Sequence, residues 1–190
     1  MDRLIPSRQA ASPRRRRILK RFSRNARGSV AIEFAALALP FSMLVFAVLE
    51  SGISFAAQQV LSNVADDVAR QFRTGQITAA TIDEDDLRQY VCNSLEIVVT
   101  KGCPGLEIDL RPHDSFAAAA AMTIPFTPAG DLDISKFKIE LGKATSKNQL
   151  RIFYRWPVMT DFLRKSMSNL PNGKTLHYAT VTWQNEGFDD

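Results

Sequence analysis

The sequence predicts an α+β protein: a long N-terminal membrane-spanning helix that continues into an amphipathic helix, packed on a mostly antiparallel sheet in an outer domain. Three observations predict it. Residues 29–49 form an apolar run of 21 residues in which Glu33 is the sole charge. From Ala57 to Phe72 apolar residues recur at helical spacing. Beyond Lys101 the texture changes to short alternating or β-branched stretches divided by proline and glycine.

The first 28 residues hold ten of the 24 Lys and Arg and only Asp2 as an acid, for a net +9; the remainder carries 14 basic against 19 acidic residues, or −5. This basic leader, with Pro6, Pro13 and the run Arg14 to Arg17, has no core-forming pattern. The apolar run that follows spans about 31 Å as a helix, one hydrocarbon thickness. Nine net positive charges before it place the N-terminus in the cytoplasm and everything beyond Glu50 outside. Pro40, mid-span, removes one backbone donor and predicts a local bend. The expected organisation is a leader at 1–28, a transmembrane helix at 29–50 and an outer domain at 51–190.

Past Ser51 and Gly52, "SFAAQQVLSNVADDVARQF" places Ala57, Leu61, Val64, Ala65, Val68 and Phe72 on one face, opposite Gln58, Asn63, Asp66, Asp67 and Arg70. Gly75 is the expected stop. A capping-box pattern, Thr81 to Glu84, opens a second helix with Leu87, Val91 and Leu95 on its inner face. The stretches "GLEIDLRP", "AMTIPFTP", "KFKIEL", "QLRIFYRWPV" and "LHYATVTWQN" read as strands. In the fourth, Leu150, Ile152, Tyr154 and Trp156 alternate with Arg151 and Arg155, which predicts a sheet with one covered face, the outward helix being its lid. Asp114 to Met122 fits either a helix or a loop.

The two cysteines, Cys92 and Cys103, fall on the outer side, where an oxidising compartment lets them pair. Together with His113 and His177 they match no zinc spacing. No nucleophile elbow, phosphate loop, dinucleotide fingerprint or His-Glu-x-x-His occurs, so no catalytic residue, metal or cofactor is assigned, and the chain is read as not an enzyme. His113 reads as a solvated turn residue, His177 as a sheet-packing residue, Asp83 to Asp86 as acids at a helix start, and Trp156 and Trp183 as core anchors. Glu50 reads as a boundary charge. A nucleic-acid role for the arginines is disfavoured because the span would tether the chain.

The N-terminal pattern has two general competitors. A secretory signal peptide cut near Ser54-Phe55-Ala56 requires an apolar region shorter than this one. A twin-arginine signal at "RRRILK" is separated from the apolar run by Arg21, Arg24 and Arg27. A third pattern fits better: a basic leader ending in Gly28, then Ser29-Val30-Ala31-Ile32, then Glu33-Phe34 heading an apolar helix. This resembles the leader of type IV pilins and pseudopilins, and more closely that of the TadE-like minor pseudopilins of the tight adherence pilus. They are similar in "G-x-x-x-x-E-F-A", in a proline within the span (Pro40), in Glu50-Ser51-Gly52 and in Tyr154-Arg155-Trp156-Pro157. Their frequent ending "R-N-E-P-F" resembles Gln184-Asn185-Glu186-Gly187-Phe188, from which Gln184 and Gly187 depart.

The resemblance implies cleavage between Gly28 and Ser29 by a prepilin peptidase, with Glu33 and Phe34 serving recognition and helix packing. It also implies a single-pass protein of the bacterial inner membrane with a periplasmic domain, whose partners are the peptidase, other pilins and pseudopilins, the inner-membrane assembly platform and the lipid bilayer. Physics supports it independently. Cleavage would give Ser29 a free amino group, and Glu33 would lie only about 7 Å from that end, within reach of a neighbouring subunit's ammonium. The alternative is an uncleaved, membrane-anchored periplasmic binding domain.

Overall fold

A computed structural model describes residues 26–78 and 81–187. The leader upstream of Ala26 and the terminal Phe188 lie outside the described residues. Two compact units divide the chain, one ending at Phe46 and the other beginning at Ala47.

Helix α1, Ala26–Arg73, runs through Pro40, Ser51 and Gly52. In the first unit its large apolar side chains face outward: Val30, Ile32, Phe34, Leu37, Leu39 and Phe41 are 60–73% exposed. Aqueous exposure of such a surface is unfavourable, so the segment suits lipid or other helices. It is long and apolar enough to cross a membrane.

In the second unit α1 buries Ala57, Leu61, Val64, Ala65, Val68 and Phe72, the whole face that periodicity selects. The helix stops where Gly75 takes a φ of 70° and its N–H donates to the Phe72 carbonyl. Helix α2, Glu84–Leu95, adds Leu87, Val91 and Leu95 to the same core. Its start corrects the capping-box reading. Asp83 is the N-cap, accepting from the Asp86 N–H, while the Thr81 hydroxyl is occupied in a turn with Thr78. Glu84, Asp85 and Asp86 fill the first turn, where the helix dipole favours acids. Cys92 and Cys103 are joined by a disulfide with their Cα atoms 5.7 Å apart. Closing a loop this short stabilises the fold by about 3 kcal/mol in the chain-entropy treatment.

Strands β1 (Leu106–His113), β2 (Lys147–Pro157) and β3 (Lys174–Gln184) form an antiparallel sheet in the order β1-β2-β3. The register pairs Ile108 with Ile152 and Leu150 with Val181. One face therefore collects Leu106, Ile108, Leu110, Leu150, Ile152, Tyr154, Trp156, Ala179 and Trp183 against the helices. Pro112 is tolerated because β1 is an edge strand. Two of the five expected strands are reduced to single bridges, Phe126 with Leu132 and Leu110 with Ile139. The ambiguous segment is resolved as a short helix α3, Phe116–Ala120, capped by the Ser115 hydroxyl.

The expectation of one covered face is also corrected. The second face is buried beneath the segment between α3 and β2, with Phe153, Leu132, Leu170 and Leu176 as its core. Arg151 does not reach solvent: its Nη2 lies 2.6 Å from Asp109 Oδ2, and its Nη1 donates to the Thr123 carbonyl. Its guanidinium also stacks over Phe137 and Phe153. Arg155 pairs with Glu107 at 2.8 Å and Asp131 at 3.1 Å. Alternation places these arginines on the opposite face, as expected, but charge-assisted pairing with buried or part-buried carboxylates and aromatic contact allow that face to be closed.

Candidate functional site

The leader junction comes first. The backbone at Gly28 and Ser29 lies in the opening turn of α1. A Cβ added at Gly28 would meet no described atom within 4 Å, and its φ is not left-handed. Neither packing nor backbone geometry therefore calls for glycine there, although a glycine inside a helix costs about 0.8–1 kcal/mol relative to alanine. Glu33 and Phe34 follow on the exposed surface of the same helix. These four residues thus follow one another on one continuous helix, near its end, with Gly28, Glu33 and Phe34 outside the folded core.

A second cluster lies where α1 enters the domain, and sequence reasoning missed it. Glu50 is only 9% exposed. Its Oε1 accepts from the Met159 N–H at 2.5 Å and its Oε2 from the Thr160 N–H at 3.1 Å, while the Thr160 hydroxyl donates to Oε2. Thr160 is the N-cap of helix α4, Asp161–Met167, and offers no side-chain cap of its own. Glu50 therefore supplies from 110 positions away the acceptor for the N-cap residue's own N–H, the part that a capping-box acid in the first turn ordinarily plays. The only signal in the sequence was the Glu50-Ser51-Gly52 resemblance; nothing local names Met159 or Thr160.

One turn further on, the Ser54 hydroxyl lies 3.0 Å from His177 Nε2. The imidazole packs against Trp156, and burial holds its pKa below the ordinary histidine value. A serine beside a histidine invites a nucleophile reading, but its other ring nitrogen, Nδ1, is buried with no hydrogen-bond partner among the described residues. Without an acid to orient the ring, the pair lacks the third member of a triad. It joins helix to strand. His113 is half-buried at the end of β1, not a solvated turn residue; burial and the charges of Arg111 and Arg151 lower its pKa against Asp109 and Asp114.

Trp183 stacks on Phe72 and donates from Nε1 to Asn185 Oδ1 at 2.7 Å, tying the final strand to the far end of α1. No group of three or more potential metal-ligating side chains occurs among the described residues.

The assembled features are a glycine without a structural reason, an acid and a phenylalanine five and six residues later, an exposed apolar helix, and the continuation of that helix into a folded domain. Residues 28–70 match the family of TadE-like proteins. The TadE-like segment thus begins at Gly28 and ends within the last turn of α1, so it coincides with the helix. It associates the chain with tight adherence pilus systems and identifies no enzymatic activity. The disulfide, the sheet and the Met159 turn fall outside it. No curated protein and no solved structure matches the chain significantly.

Proposed function

We propose that the protein is a minor pseudopilin that helps to assemble or anchor a tight adherence pilus, matured by a prepilin peptidase that cuts after Gly28. The observation that carries this reading is the coincidence at one residue: the TadE-like match starts at Gly28, the basic leader ends there, and the helix gives no internal reason for a glycine. An opening helical turn frays readily, and glycine lowers the cost of presenting the bond in extended form.

In this reading the span 29–50 sits in the inner membrane with the domain 51–190 in the periplasm. Support comes from the charge asymmetry across the span and from the disulfide, which belongs in an oxidising compartment. Cleavage exchanges a basic leader for the Ser29 ammonium. Glu33, four residues along, then offers a carboxylate to the corresponding ammonium of an adjacent pilin or pseudopilin, and in hydrocarbon such pairing offsets much of the cost of its charge. Ala35, Ala36 and Ala38 allow close helix approach. The protein acts as a substrate and a structural subunit, with the assembly platform and the bilayer as its remaining partners.

Replacing Gly28 by leucine tests this directly. Because a side chain there meets open space and leucine favours the helix, the variant should fold and insert normally yet retain its leader, giving a larger species on a gel. Mass spectrometry of the wild type should find Ser29 at the N-terminus. A wild type that keeps Met1, or a Gly28→Leu protein that matures normally, would refute the assignment.

A further inference from the structure

Three contacts order the second unit along α1. Phe72 stacks on Trp183, whose strand partner is Asn148 near the start of β2. Ser54 meets His177, whose partner is Tyr154. Glu50 meets Met159 and Thr160, just past the end of β2. Strand β2 therefore runs antiparallel to α1, and the turn at Met159 is the end of the domain next to Ala47, where the chain leaves for the apolar span. Between Glu50 and Phe72 the helix rises about 33 Å, so the opposite end stands well clear of that level.

Helix α4 is fixed at this level by both of its ends. Its N-terminus is held by Glu50, and Met167 Sδ accepts from the Ser51 hydroxyl at 3.7 Å. Glu50 and Ser51 differ by only about 1.5 Å along the α1 axis. Within the domain, a helix whose two ends meet α1 at one height lies across it, at the level where α1 leaves for the span. Met159 is 69% exposed and Phe162 46% exposed, and Val48 and Leu49, within two residues of Glu50 on α1 and so at nearly the same height, are also exposed. Arg164 and Lys165 are exposed on the same short helix, Arg164 pairing with the exposed Asp161 at 2.9 Å, which leaves Lys165 as its net positive charge. Exposed apolar side chains on a helix of net positive charge, next to the point where a span begins, have the chemistry of an interfacial helix.

We infer that the Met159–Met167 segment is a second membrane contact, with Met159 and Phe162 inserted at the headgroup–acyl boundary of the leaflet where the span emerges. The occupant of this surface is lipid, by continuity with the exposed apolar turn at Val48 and Leu49. The inference rests on the span assigned under the proposed function, though not on cleavage of the leader.

The test uses the full chain in phosphatidylcholine–phosphatidylglycerol vesicles. Since Cys92 and Cys103 are bonded to each other, single variants Met159→Cys, Phe162→Cys and Lys143→Cys accept an environment-sensitive fluorophore selectively. Lys143 is exposed in the loop beside Asn185, at the opposite end of the domain. Labels at 159 and 162 should emit to the blue and be quenched several-fold more strongly than the label at 143 by lipids carrying a nitroxide near the headgroup. Equal quenching at all three positions would overturn the inference, as would labels shielded from water but insensitive to the lipid quencher, the outcome expected if a second copy covered the patch. Alkaline carbonate separates the two levels. Release of the protein would overturn the span itself, whereas unquenched labels on a retained protein overturn only the contact proposed for Met159 and Phe162.

Discussion

Replacing Glu50 by alanine removes every acceptor that holds the Met159 turn to α1. The carboxylate receives two backbone N–H groups, from Met159 at 2.5 Å and Thr160 at 3.1 Å, and one hydroxyl. The hydroxyl can rotate toward water; the amides cannot. At about 1–2 kcal/mol for each amide left without a partner in a part-buried turn, the substitution costs about 2–4 kcal/mol. Glu50→Gln keeps one carbonyl oxygen but loses the charge and the second acceptor, for about 1–2 kcal/mol. If the loss is local, the Met159 and Thr160 amides open more often and exchange with deuterium roughly 30- to 700-fold faster in the alanine variant. Hydrogen exchange read by mass spectrometry on the detergent-solubilised protein resolves this, with the glutamine variant falling between. Wild-type exchange at 159–160 in Glu50→Ala would refute the reasoning, because it would mean that the buried carboxylate does not hold the turn.

Two further outcomes follow from the polar groups buried elsewhere in the domain. Arg151→Met removes the partner of Oδ2 of the fully buried Asp109, whose Oδ1 stays paired with Arg111 and the Lys138 N–H, and should destabilise the domain by about 2–3 kcal/mol in urea unfolding, while Arg151→Lys, which keeps a charged donor, should lose less. Burial depresses the pKa of His177 in the folded state below 6.5, so the stability present above pH 6.5 is lost as the pH falls toward the folded value; His177→Gln should flatten part of that decline between pH 7.5 and 5.5, and His113, shifted in the same direction, accounts for the remainder.

The residues that were legible in the sequence share a long period or a strong local rule. Six positions from Ala57 to Phe72 repeat through more than four turns, and all six are buried. Gly75 is read correctly because a left-handed residue must end such a helix somewhere. Where two local rules overlapped, at Thr81 and Asp83, the sequence offered two caps and the Thr78 turn decided between them by engaging the threonine. The second sheet face illustrates a different failure. Arg151 and Arg155 alternate correctly with their apolar neighbours, but the chain that covers them, from Ala121 to Ser146, reads as two further strands, and a strand pattern does not announce a layer crossing the second face. Charge is then taken for exposure. What buries it is a set of partners 24 to 48 residues away, which no local pattern encodes.

Glu50 shows why a charge at the end of a span can carry more than its position suggests. A leucine there would lengthen the apolar run that begins at Ser29 by one residue and leave the Met159 and Thr160 amides unpaired beside the helix. A lysine would mark the boundary but offers no acceptor. A glutamate does both, since its charge ends the run and its two oxygens hold the two residues that lead into a helix with no side-chain cap of its own. The result is a fixed relation, within the domain, between one position on α1 and the end of β2. The acid read from sequence as a boundary marker is therefore also the residue that sets the height of α4 along the helix, and the two roles reinforce each other because a carboxylate held by two amides and a hydroxyl resists being drawn into hydrocarbon.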